Sequence, residues 1–94
     1  MTPPEPLRRR VRVVGREGLH ARPCAEISRL VRRSHAAVRI VGARGEADAK
    51  SVLDLMTLGL AEGHEAEIVA EGPDAERVLG LLVAIFERGF DEKP

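Results

Sequence analysis

The chain has no tryptophan, no tyrosine and only two phenylalanines, Phe86 and Phe90. Bases of single-stranded nucleic acid need aromatic platforms to stack on, and this chain has almost none to offer. Nor does it carry a basic excess: fifteen Lys and Arg balance fifteen Asp and Glu. Together these absences argue against a general nucleic-acid binder. A single cysteine, Cys24, cannot form an internal disulfide, which fits a reducing compartment. The longest apolar run, "VLGLLVAIF" at 78–86, has nine residues, well short of the roughly 20 a membrane helix needs. "MTPPEPLRRR" lacks the apolar stretch of a signal peptide. These features predict a cytoplasmic protein with no membrane insertion. His35 and His64 lack metal-ligand spacing and read as surface residues, so neither a metal nor a cofactor is predicted.

What is present suffices for one modest core. Ninety-four residues, 44% of them hydrophobic, make a single domain filled by Val, Leu, Ile and Ala. Residues 1–6, with three prolines, read as a flexible tail, 7–90 as the domain, and 91–94 as a second tail.

Periodicity assigns the elements. "RRRVRVVG" (8–15) alternates, with Val11 and Val13 on one face and Arg10 and Arg12 on the other. From Ala21 to Arg33 the spacing changes to three and four: Cys24, Ile27, Leu30 and Val31 form an apolar stripe on a helix. "AAVRIVG" and "GEADA" read as strands joined by a "GARG" turn. "SVLDLMTL" (51–58) is a short helix opened by Ser51, with Asp54 in capping-box position. "EAEIVAEG" (65–72) alternates again. The last helix lies within 73–89, with Asp74 as N-cap and an interior Gly80 that suggests close packing. The order is β-α-β-β-α-β-α. A four-stranded sheet with three helices on one face accounts for it, the arginine-bearing face being left to water.

The unusual stretch is "EGLHARPC" at 17–24, where a loop turns into a helix. The first N–H groups of a helix lack intrahelical acceptors and the dipole is positive there, so an anion is favoured. Arg22 in the first turn adds a charge-assisted donor for phosphate. Pro23 suits a first turn, and Gly18 lets the entering chain bend. A neutral imidazole at His20 is a nucleophile able to carry a covalent group. Two readings stand on spacing alone: solvated His and Arg beside a helix cap, or a phosphorylatable histidine at a helix N-terminus.

"GLHARP", followed about thirty residues later by "AKSVLDLMTLGLAEG", resembles HPr, the family of histidine-containing phosphocarriers of the bacterial phosphotransferase system. The similarity runs from about Val11 to Phe86. It implies an α+β fold, an open-faced β-sandwich in which three helices cover one side of a four-stranded antiparallel sheet. His20 then matches the histidine that takes a phosphoryl group on Nδ1 from enzyme I, itself phosphorylated by phosphoenolpyruvate, and hands it to an enzyme IIA. Arg22 matches the arginine that stabilises the phosphate. Ser51 matches the serine that a dedicated kinase, HPr kinase/phosphorylase, modifies in some bacteria. Ala21, Val52, Leu53 and Met56 match partner-contact positions. The resemblance implies a monomeric carrier, not an enzyme, with no cofactor. An HPr-like regulatory module acting through protein contacts is the alternative, and similar carriers serve sugar uptake and nitrogen-linked regulation. Two departures from the common pattern stand out. Cys24 replaces a small residue after the Pro, and Asp54 adds a charge to the contact helix.

Overall fold

A computed structural model describes residues 5–91, with 1–4 and 92–94 outside the described residues. The elements are β1 (Leu7–Arg12), α1 (Ala21–Arg32), β2 (Ala37–Gly42), β3 (Gly45–Asp48), α2 (Val52–Met56), β4 (Glu65–Glu71), α3 (Ala75–Glu87) and a 3-10 turn (Gly89–Asp91). The strands form one antiparallel sheet in the order β1-β4-β2-β3. This is the α+β arrangement read from the sequence, three helices on one four-stranded open sheet.

Alternation decides which face is covered. Val11 and Val13, Val38 and Ile40, and Ala66, Ile68 and Ala70 point under the helices and are buried. From above, Ile27 and Val31 of α1, Leu55 of α2, and Val78, Leu82 and Phe86 of α3 close the core, each with 0% exposure. Burying a side chain of this size contributes about 1.5–3 kcal/mol, so this stripe, not helix propensity, holds α1 in place.

The other face carries charge in register. Arg8 pairs with Glu67 at 3.1 Å and Arg39 with Glu46 at 3.1 Å, while Glu65 takes both Arg10 and Arg12 at 3.7 and 3.4 Å. Such exposed pairs contribute about 0–1 kcal/mol each. Their arrangement hides one apolar residue that alternation assigns to water. Val69 sits opposite both Arg8 and Arg39 and is only 1% exposed, in keeping with the way long arginine stems lie along apolar surface.

Four details differ from the sequence expectations. Ser51 does cap α2, its hydroxyl accepting from Asp54 N–H at 3.1 Å. The reciprocal half of the box is missing, because the Asp54 carboxylate accepts instead from the Asp48 N–H at 2.8 Å and so ties α2 to β3. Asp74 stands at the N-cap of α3 but makes no side-chain cap bond. Its carboxylate reaches across to the backbone N–H of His35, 3.1 Å from each oxygen. Gly80 is exposed with nothing within 4 Å of the place a Cβ would take, so close packing does not explain it. Finally, Asp91, read from the sequence as the start of a tail, closes the 3-10 turn Gly89–Asp91. In that turn Phe90 adopts φ 61° and is held by an edge-to-face contact with Phe86, ring centroids 5.1 Å apart. The tail expected at 1–6 is described only at Glu5 and Pro6, which are in no regular element, and 92–94 lie outside the described residues.

Candidate functional site at the start of the first helix

A tight loop delivers the chain to α1. Gly18 N–H donates to the Gly15 carbonyl at 3.0 Å, with Gly18 at φ +67°, a conformation costly for any residue with a Cβ. Leu19 is then pinned twice. Its side chain is buried, and its N–H donates to the Leu60 carbonyl at 2.8 Å. That leaves His20 as the N-cap of α1, in an extended conformation (φ −93°, ψ −173°), with its carbonyl accepting from Cys24 N–H at 3.1 Å.

Most N-cap residues turn a side-chain oxygen onto the helix N–H groups. His20 does not: its side chain makes no cap bond. Its Nε2 lies 3.3 Å from Glu17 Oε2, and the side chain is 30% exposed. Pro23, buried at the third helical position, has no N–H to satisfy. Among the described residues, the N–H groups of Ala21 and Arg22 have no backbone acceptor, and the exposed guanidinium of Arg22 has no partner. Arg22 thus stands beside a positive helix end as an uncommitted donor.

Cys24 is fully buried directly behind this site, its Sγ donating to the Leu19 carbonyl at 3.7 Å. Burial pushes the thiol up to about 11, so it stays protonated near neutral pH and acts as a small core residue.

Ser51 is not brought together with His20. The Ser28 hydroxyl donates to the Lys50 carbonyl, and Arg32 Nε donates to both Ser28 Oγ at 3.1 Å and the Lys50 carbonyl at 2.8 Å. These bonds seat the N-terminus of α2 against α1 eight residues beyond His20, roughly 12 Å along the helix at 1.5 Å per residue. The other end of α2 leads to Leu60, whose carbonyl holds Leu19. The two helices are therefore neighbours, with His20 and Ser51 toward opposite ends.

On α2, Leu53 is 80% exposed and Met56 44%, while Leu55 and Leu58 are buried. Val52 is half-buried and packs partly against the core, so it offers less surface than its two neighbours. Ala21 is exposed. The two remaining histidines lie at the surface in turns. His64 Nδ1 accepts from Ala61 N–H at 3.0 Å, which places the ring proton on Nε2. Among the described residues no group of three His, Cys, Asp or Glu is placed to hold a metal, and no helix is long and apolar enough to cross a membrane.

One residue at the site escaped the sequence reading. Glu17 lies three positions before His20, and a carboxylate at that spacing from the candidate imidazole was the available signal. Spacing alone does not disclose the contact, because it depends on the turn at Gly18 folding the carboxylate back over the ring.

The chain is 37% identical over 83 residues to the phosphocarrier protein NPr of Escherichia coli K12, covering 87% of this chain and 92% of that protein. It is 35% identical to the phosphocarrier protein HPr of Treponema pallidum, covering 88% and 94%. Among solved structures, a phosphocarrier protein HPr from Bacillus anthracis superposes with a TM-score of 0.81 at 34% identity, covering 86% of this chain and 96% of that one. The family model described as the PTS HPr component phosphorylation site matches residues 7–88, and with the fold and these relatives it establishes that the chain belongs to the HPr family of phosphotransferase-system phosphocarriers.

Proposed function

We propose that this carrier takes its phosphoryl group on His20 Nδ1 from phospho-enzyme I, which draws it from phosphoenolpyruvate, and passes it to an enzyme IIA. One observation carries the reading: His20 caps α1 without spending its side chain on the helix N–H groups. The backbone donors of Ala21 and Arg22 and the Arg22 guanidinium are thereby left for the oxygens of a phosphate. In the transfer the Nδ1 lone pair attacks phosphorus and an N–P bond forms. The bond from phosphorus to the donor breaks, its electron pair returning to the donor. The site is a half-exposed helix end, not a closed cavity, as suits a group that must meet two different active sites in turn.

Leu53 and Met56, exposed on the neighbouring helix, supply apolar surface for those encounters, and methionine adapts to more than one partner. Similarity to the Escherichia coli carrier named NPr favours the nitrogen-linked form of the pathway over sugar uptake. The alternative, a regulatory module working through contacts alone, rests on the same exposed residues.

The test is transfer from phosphoenolpyruvate with the enzymes I of the source organism, followed by chase onto candidate IIA proteins. The carrier reading predicts stoichiometric labelling that is lost in His20→Ala, slowed in Arg22→Ala, and discharged by a IIA. Binding to partners without any labelling would support the regulatory alternative.

A further inference from the structure

We infer that Glu17 is a positioning residue for this transfer: its carboxylate holds the proton of the His20 ring on Nε2 and so keeps the Nδ1 lone pair as the nucleophile. The inference rests on the carrier reading above and adds a residue to it.

The geometry begins with the turn. Gly15 and Gly18 close a backbone hydrogen bond of 3.0 Å, and His20 N–H donates to the Gly18 carbonyl at 3.1 Å. This folds residue 17 back toward residue 20, and Glu17 Oε2 comes to 3.3 Å from His20 Nε2. The Glu17 side chain is 69% exposed, so holding the carboxylate there costs little desolvation.

The sign of the charge argues for a role at the ring. A carboxylate beside an incoming phosphate is repulsive, and Glu17 cannot serve as a phosphate ligand. At the ring, a carboxylate is favourable only against the nitrogen that does not receive phosphorus. A neutral imidazole has two tautomers, and only the one with the proton on Nε2 presents a lone pair at Nδ1. An anionic acceptor at Nε2 selects that tautomer, because a lone pair facing a carboxylate is repelled while an N–H is bonded.

The same contact assists the second half of the cycle. Once Nδ1 carries the phosphoryl group and Nε2 keeps its proton, the ring is positively charged and faces the Glu17 carboxylate. When the next acceptor attacks phosphorus, the N–P bond breaks and its electron pair returns to Nδ1. The ring leaves as neutral imidazole, still protonated at Nε2. No proton has to be taken or given in either direction. A ring stripped of the Nε2 proton would have to depart as an imidazolide anion, a far poorer leaving group.

The experiment uses the full chain, labelled with ¹⁵N, as wild type, Glu17→Gln and Glu17→Ala. All three should fold alike because the side chain is exposed. With the imidazole neutral, ring ¹⁵N shifts report the tautomer directly. Wild type should show the Nε2–H form, Glu17→Ala a several-fold larger share of Nδ1–H, and Glu17→Gln an intermediate share, because its amide oxygen accepts without a charge. Single-turnover phosphorylation by phospho-enzyme I should slow by about tenfold in Glu17→Ala, the scale typical of a lost orienting partner on a functional histidine. Identical tautomer ratios in the three proteins, or a shifted ratio with an unchanged rate, would overturn the role of Glu17 while leaving the carrier intact. A wild-type chain that takes no phosphate at all would instead sink the carrier reading, and this proposal with it.

Discussion

Gly18 lies so close to Leu60 that a Cβ on it would stand 2.5 Å from the Leu60 carbonyl oxygen. That oxygen also accepts the Leu19 N–H, so one carbonyl beyond α2 fixes the backbone immediately before His20. Gly18→Ala therefore meets two penalties: the positive φ and the clash with a backbone atom. Urea denaturation should show a loss of about 2 kcal/mol or more. The displaced His20 should also be phosphorylated more slowly than the stability loss alone accounts for.

The opposite outcome is expected at Gly80. It lies on the exposed side of α3 in helical conformation, with open space where a side chain would go. Gly80→Ala should stabilise the protein by about 0.5–1 kcal/mol, through helix propensity and a less flexible unfolded chain. A rise in the melting temperature with unchanged transfer kinetics checks this.

Asp74 gives the fold an acid-sensitive link. Its carboxyl is held below the usual carboxylate range, chiefly because the His35 backbone N–H donates to it, with Arg77 at 3.1 Å adding to the effect. A carboxyl lowered in the folded state contributes stability above its unfolded pKa of about 3.9, and loses that contribution as pH falls through the folded value. Wild type should thus be more stable than Asp74→Asn at pH 7, and the gap should close as pH falls below the usual carboxylate range and the folded-state carboxyl takes up its proton. A gap independent of pH would show that the carboxylate charge plays no part.

This link also marks where sequence legibility ends. Alternation in β1 and β4 and the stripe Cys24, Ile27, Val31 were readable because each is a local pattern imposed by one buried face. The site was readable because "GLHARP" is contiguous in sequence. Asp74 reads as a cap because Asp before a helix usually is one, yet its partner lies 39 residues away and only the tertiary fold brings them together. Val69 belongs with Asp74: it lies on the charged face yet is buried, opposite Arg8 and Arg39 on two other strands. Glu17 lies between these cases, near His20 in sequence but dependent on a turn for its contact.

Ser51 separates a cap from a switch. Its hydroxyl accepts the Asp54 N–H, so Ser51→Ala should cost about 1 kcal/mol while Ser51→Asp, which caps as well, should be nearly neutral in stability. The added carboxylate lies at the start of the helix that presents Leu53 and Met56. If partners dock there, Ser51→Asp should slow phosphorylation of His20 by enzyme I in a fully folded protein. Transfer at the wild-type rate would place the docking surface elsewhere.

His20 should receive the phosphoryl group on Nδ1, and NMR of the ¹⁵N-labelled chain after phosphorylation by phosphoenolpyruvate and enzyme I reads the bonded nitrogen. The expected spectrum shows one phosphorus coupled to Nδ1 of His20, in a product that is acid-labile and alkali-stable and absent from His20→Ala. Phosphorus bonded to Nε2, or carried by His35 or His64 with His20 unmodified, would contradict it.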